Sequence, residues 1–182
     1  MKNLANLYEE EYKDYEQAIH YYKMAIKKDH ADAMNSLSWL YYTQAMPKEK
    51  QVCLKLAEKS YSLGSDNDNL HTLAIAQLWN NQYQASIDRI KEYLKLEDDL
   101  EYFSDDITDY FILLLAKKQR QPAYELFQQF PKLQDQFKPV YYALMTLLKD
   151  KYPKEYLKMG SELEETVQEI LQKVEEKAVK YA

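Results

Sequence analysis

Three features of the 182-residue sequence predict an all-α fold. Two glycines and five prolines leave little material for hairpin turns. Leu, Ala, Lys, Glu and Gln are abundant, and all five favour helix. Apolar residues recur at three- and four-residue spacing along the whole chain, interrupted by short polar or proline-containing breaks. The periodicity places helices over 2–11, 15–28, 31–45, 48–63, 68–80, 83–97, 104–119, 121–130, 138–149 and 153–181. Most breaks are short ("YKD", "KKDH", "MPKE", "GSDND", "NNQ"), as expected where helices fold back antiparallel on their neighbours.

The helices fall into pairs with a shared pattern. The first member carries bulky–x–x–apolar–small–x–x–aromatic: Met1, Leu4, Ala5 and Tyr8, then Met34, Leu37, Ser38 and Tyr41. Leu70, Leu73 and Ala74 follow suit, with Gln77 breaking the last place. The second member alternates small and bulky residues, as Ala18, Tyr22 and Ala25 do in "YEQAIHYYKMAI". Cys53, Ala57 and Ser60 keep that rhythm, and so do Ser86 and Ile90, although Tyr93 fills the last small place of the third pair. Antiparallel helices approach closely only where one offers a small side chain and the other a knob, so Ala18 and Ala25 read as holes for aromatic knobs. The fourth pair keeps Ala123 and Phe127 but has Phe111 where a small residue belongs, and from Pro139 onward only helical spacing remains.

This pattern resembles the tetratricopeptide repeat. Ala5, Ser38 and Ala74 lie 33 and 36 residues apart, against a family period of roughly 34 and longer turns in its SEL-type relatives. "KDYEQAIHYYKMAIKKDHADAMNSLSWLYY" is the best match, and the resemblance is strong over residues 1–97. It implies a right-handed superhelical solenoid of antiparallel helix pairs. About four to five pairs would fill 1–152, and 153–182 would form a capping helix. Met1 stands where the first helix is already under way, with no capping residue before it, so a piece of a longer protein is expected.

Composition excludes several function classes. The net charge of −6 runs against a nucleic-acid binder, and Lys23, Lys27 and Lys28 read as a solvated helix face. Cys53 is the sole cysteine, so no intrachain disulfide can form. "YFILLLA" is too short to span a bilayer, and "MKNLANLYEEEY" lacks the apolar stretch of a signal peptide. A soluble, cytoplasmic protein without membrane contact is expected. His20, His30 and His71 lack metal-ligand spacing, and Cys53 has no nearby histidine in sequence to activate it. "SDNDNLH" fails as a calcium loop, because His71 and Gln77 stand where glycine and glutamate belong. Asp66 and Asp68 are better read as turn and capping residues, and Gly64 as a helix C-terminus. No catalysis and no cofactor are expected.

The resemblance also implies a site. In the family, the first helices line a concave groove, which carries over to Lys2, Asn6, Asn35, Trp39, Tyr42, His71, Ile75 and Trp79, with Thr108 and Ile112 in the fourth pair. Aromatic residues there would anchor a peptide or a partner helix. The carboxylate clamp that grips acidic chaperone tails is incomplete: Lys2 and Asn6 match, Ser36 replaces the second-repeat asparagine, and "NLHTLAIAQLW" has no basic residue. The expected function is therefore a protein-interaction module with an unidentified partner. The alternative is a regulatory or structural appendage of a larger enzyme or sensor, packing on a domain outside this chain. The last helix adds an apolar stripe of Tyr156, Leu163, Val167, Ile170, Val174 and Tyr181. Continuous from 153 to 181, it would run about 44 Å, capping the array or pairing with itself in a homodimer.

Overall fold

The computed structural model describes residues 1–64, 66–96 and 104–182, and they are helical, with no strand among them. The chain divides into two compact units, Met1–Tyr93 and Leu94–Ala182.

The first unit contains α1 (Lys2–Glu10), α2 (Tyr15–Ile26), α3 (Ala31–Thr43), α4 (Lys50–Leu63), α5 (Asn67–Trp79) and α6 (Tyr83–Leu96), the last running past the boundary. α1 packs on α2, α2 on α3, α3 on α4 and α4 on α5. The small residues lie at the crossings. Ala5, Ala18, Ala25, Ser38, Cys53, Ala57, Ser60, Ala74 and Ser86 are all buried. Two of them report how near the backbones come. Ser38 Oγ donates to the Cys53 carbonyl at 2.9 Å, and Ser86 Oγ donates to the Ala74 carbonyl at 2.7 Å. A hydroxyl on a one-carbon stem reaches the backbone of the opposite helix only if the two helices touch there.

Side-chain amides and caps hold the ends. The Asp14 carboxylate accepts from the Gln17 amide at 3.1 Å and Asp66 from the Asn69 amide at 2.8 Å, each satisfying an orphan donor of the first turn. Gly64 closes α4 in extended conformation. Asn80 Nδ2 donates to the Lys50 carbonyl at 2.9 Å while its Oδ1 accepts from Gln51 at 2.7 Å, tying the end of α5 to the start of α4.

The second unit contains α7 (Ser104–Ala116), α8 (Arg120–Gln129), α9 (Lys132–Gln136), α10 (Lys138–Leu147), α11 (Pro153–Tyr156) and α12 (Glu164–Lys180). Here α12 packs against α7 and α10, burying Val167, Ile170 and Val174, and Tyr181 is buried just beyond it. An ion pair from Lys177 to Asp109 and a bond from Lys117 Nζ to the Tyr181 carbonyl fasten the two helices. Val167, Ile170, Val174 and Tyr181 of the expected apolar stripe thus face the rest of their own unit.

Two expectations about this unit are corrected. The helix expected over 153–181 is interrupted: α11 ends at Tyr156, Gly160 is extended, and helix resumes after a 3₁₀ turn at Ser161–Leu163. Glycine costs about 1 kcal/mol in a helix interior, and Leu157 and Lys158 are exposed, so burial offers that turn nothing in return. The break expected at 130–139 holds the short α9, secured by buried Leu133 and Phe137. The break expected at 97–104 lies almost wholly outside the described residues.

One turn recurs in both units. Ala45, Asn81 and Lys118 each adopt positive φ, at 47°, 63° and 60°. The following amides of Met46, Gln82 and Gln119 donate back to Tyr41, Gln77 and Leu114 at 3.0, 2.8 and 3.0 Å. These are Schellman closures. Each left-handed residue falls seven places after Ser38, Ala74 or Phe111, and α3, α5 and α7 are each 13 residues long. The fourth helix pair therefore keeps the register of its predecessors where its side chains have changed.

Candidate functional site

The face assigned to partner binding is carried by α1, α3 and α5. Trp39 stands on α3 with Tyr42 beside it, ring centroids 5.5 Å apart. From α5, His71 meets Trp39 at 5.5 Å and Trp79 meets Tyr42 edge-on at 5.9 Å. The structure therefore joins Trp39, Tyr42, His71 and Trp79 into one aromatic cluster across two helices. Tyr93 of α6 extends it, its ring 5.5 Å from His71. Tyr93 lies outside the residues that the family resemblance implies for the groove. Its signal was the bulky residue at a small-residue place, which here fills the space against His71.

Burial divides these residues. Tyr42, His71, Ile75 and Trp79 are buried, while Asn6, Asn35 and Trp39 are half-buried. Every residue of α5 from Asn69 to Trp79 is buried, the polar Asn69, His71, Thr72 and Gln77 included. Ile75 and Trp79 thus form a floor, and the accessible rim belongs to α1 and α3.

Asn6 lies over α2, where its Oδ1 is 2.9 Å from the Tyr22 hydroxyl and Glu9 Oε2 is 2.6 Å from the same hydroxyl. Burial raises the Glu9 carboxyl above its ordinary range, against the opposing pull of the Tyr22 hydrogen bond. Burial likewise raises the Tyr22 phenol, with Glu9 adding to the shift. Lys2 pairs with Asp32 of α3 at 3.1 Å, which holds the Asp32 carboxyl below its ordinary value. Asn35, one helical turn before Trp39, has a buried side-chain oxygen with no hydrogen-bond partner among the described residues. An acceptor left in that state costs about 1–3 kcal/mol.

No protein-family model, curated protein or solved structure matches this chain.

Thr108 and Ile112 of α7 line a concavity of about 390 Å³, opposite Lys173 and Lys177 of α12. Its walls carry both signs of charge, including Asp105 and Glu176. Cys53 is buried between α3 and α4, and burial pushes its thiol up to about 11. Its side chain fills the α3–α4 crossing beside Ser38, with Sγ 3.3 Å from Ser38 Oγ. Among the described residues, no group of three or more His, Cys, Asp and Glu side chains could hold a metal ion. Within the same residues, no helix is long and apolar enough to cross a membrane.

Proposed function

We propose that this chain is a tetratricopeptide-like solenoid whose work is to hold another protein by a peptide or a helix laid along the face of α1 and α3. The half-buried rim of Asn6, Asn35 and Trp39 over a buried aromatic floor carries this reading. Tyr42 and His71 hold the Trp39 ring, and Trp79 backs Tyr42, so its contact surface is pre-organised and little entropy is lost on binding. Asn35 supplies a hydrogen-bonding amide one turn away, suited to a peptide backbone, and Trp39 supplies a flat apolar anchor. The small-residue crossings and the recurring closures at Ala45, Asn81 and Lys118 support the repeat architecture behind it.

The test is a selection of binders from a random peptide library on the intact chain. Peptides recovered on the wild type are expected to lose at least tenfold in affinity on Asn35→Ala with Trp39→Ala, while the melting temperature falls by only a few degrees. Equal binding to that double variant would remove this face from consideration. Wild-type tryptophan fluorescence should be partly quenchable by acrylamide, through Trp39, and bound peptide should protect it.

A further inference from the structure

Resting on the reading of the α3 face as a partner site, we infer that its occupant is an amphipathic helix with lysines bordering its apolar seam, laid there as α12 is laid on α7. In the register that aligns Ser38, Ala74 and Phe111, one stripe recurs on α3, α5 and α7. Asp32, Asp68 and Asp105 stand six places before those residues, Asn35, His71 and Thr108 three before, and Trp39, Ile75 and Ile112 one after. In the second unit that stripe has an occupant. α7 packs against α8 and α10, as α3 packs against α4 and α5, and in addition against α12. Asp105, Thr108 and Ile112 line the concavity whose opposite wall holds Lys173, Lys177 and Lys180 of α12, and Lys177 pairs there with Asp109. Ile112 is 3% exposed, whereas Trp39 at the same place is half-buried.

Charge and backbone chemistry on α3 point the same way. The Asp32 side chain stays 57% accessible while paired with Lys2. A further ammonium can therefore reach its carboxylate, in the place that Lys173 and Lys177 take beside Asp105 and Asp109. An extended peptide would need its backbone amides met by the face. The Asn6 oxygen is already held 2.9 Å from the Tyr22 hydroxyl, and the described residues hold no strand edge to extend. A helix satisfies its own backbone and asks only for side-chain contacts. In α12 the buried seam is Val167, Ile170 and Val174, with Lys173, Lys177 and Lys180 along its α7 border. The partner's helix accordingly carries bulky apolar residues at that spacing to cover the Trp39 ring, and lysines along the Asp32 side.

The probe is a displayed library of 17-residue peptides on the α12 frame, Glu164–Lys180. It keeps Lys173, Lys177 and Lys180 and varies positions 167, 170 and 174 among Leu, Ile, Phe, Met and Trp. Binders selected on the intact chain are expected to lose about tenfold in affinity on Trp39→Ala, a dependence that separates this face from α7. Gln172→Pro in the peptide, which breaks a helix, should cost at least as much. Asp32→Lys in the chain should weaken binding several-fold, and peptides with the three lysines changed to glutamate should bind that variant better than the wild type. Random linear peptides that need Trp39, beside a helical library without Trp39-dependent binders, would overturn the inference and leave the binding reading in place. Binders indifferent to the proline would do the same. If neither library yields a binder that Trp39→Ala weakens, both readings fall. A chain that dimerises in sedimentation and becomes monomeric with Trp39→Ala seats a second copy on this face, which also overturns the inference.

Discussion

The two units solve the crossing of paired helices in opposite ways. In Met1–Tyr93 the crossings are built on Ala, Ser and Cys, and hydroxyls at Ser38 and Ser86 reach the opposite backbone. In Leu94–Ala182 the equivalent place is taken by Phe111, whose ring stacks on Phe127 of α8 at 4.5 Å. Close backbone contact demands the same small residues again and again, which yields a repeating sequence. Aromatic stacking holds helices by large side chains, and each pair can then settle at its own distance. This is why the repeat pattern fades after α6 although the Schellman turn at Lys118 still marks its register.

That contrast is most directly broken by exchanging the two solutions. Phe111→Ala removes a fully buried ring and should cost about 3–5 kcal/mol, read by denaturant unfolding of the intact chain. Ser38→Phe forces a ring into a crossing with no space for it and deletes the bond to Cys53, for about 2–3 kcal/mol. A Ser38→Phe variant as stable as the wild type would mean that the first unit's helices are not held by close approach.

A gentler probe of the same crossing uses Cys53. With its thiol raised to about 11 from the ordinary 9.0, native labelling at pH 8.5 should be about a hundredfold slower than in denaturant, in proportion to thiolate content. The linkage has a definite sign. A folded-state pKa above the unfolded one contributes stability that is complete below about pH 9 and is lost as pH rises toward about 11. Cys53→Ala should flatten stability across that window. Rapid labelling of the native protein would show the crossing to be open.

The smallest expected effect sharpens what the units share. Ala45 and Lys118 occupy left-handed backbone, one in each unit. Replacing either by glycine relieves that strain and should add about 0.5–1 kcal/mol. A gain at both sites would support one turn serving both units, whereas a loss at Lys118 would set the second unit apart there too.

Much of this was legible in advance because its causes are local. Helix formers, capping carboxylates such as Asp66 and the spacing of Ala5, Ser38 and Ala74 act within one or two turns or at a fixed period. The hole positions at Ala18, Ala25 and Cys53 could be named from residue size alone. Tertiary structure alone decided which members of the candidate site are floor and which are rim, because burial depends on what lies across from a side chain. It also broke the terminal helix at Gly160, where weak propensity met a turn without a core to pack on. The sequence by itself determined the helices and their repeating contact positions, since these follow from short-range periodicity. Only the packed chain determined that Trp39 stays reachable while Trp79 does not, and that Leu4 and Leu7 lie open where Leu37 and Leu40 are covered. Exposure belongs to neighbours in space, and one-dimensional spacing carries no record of them.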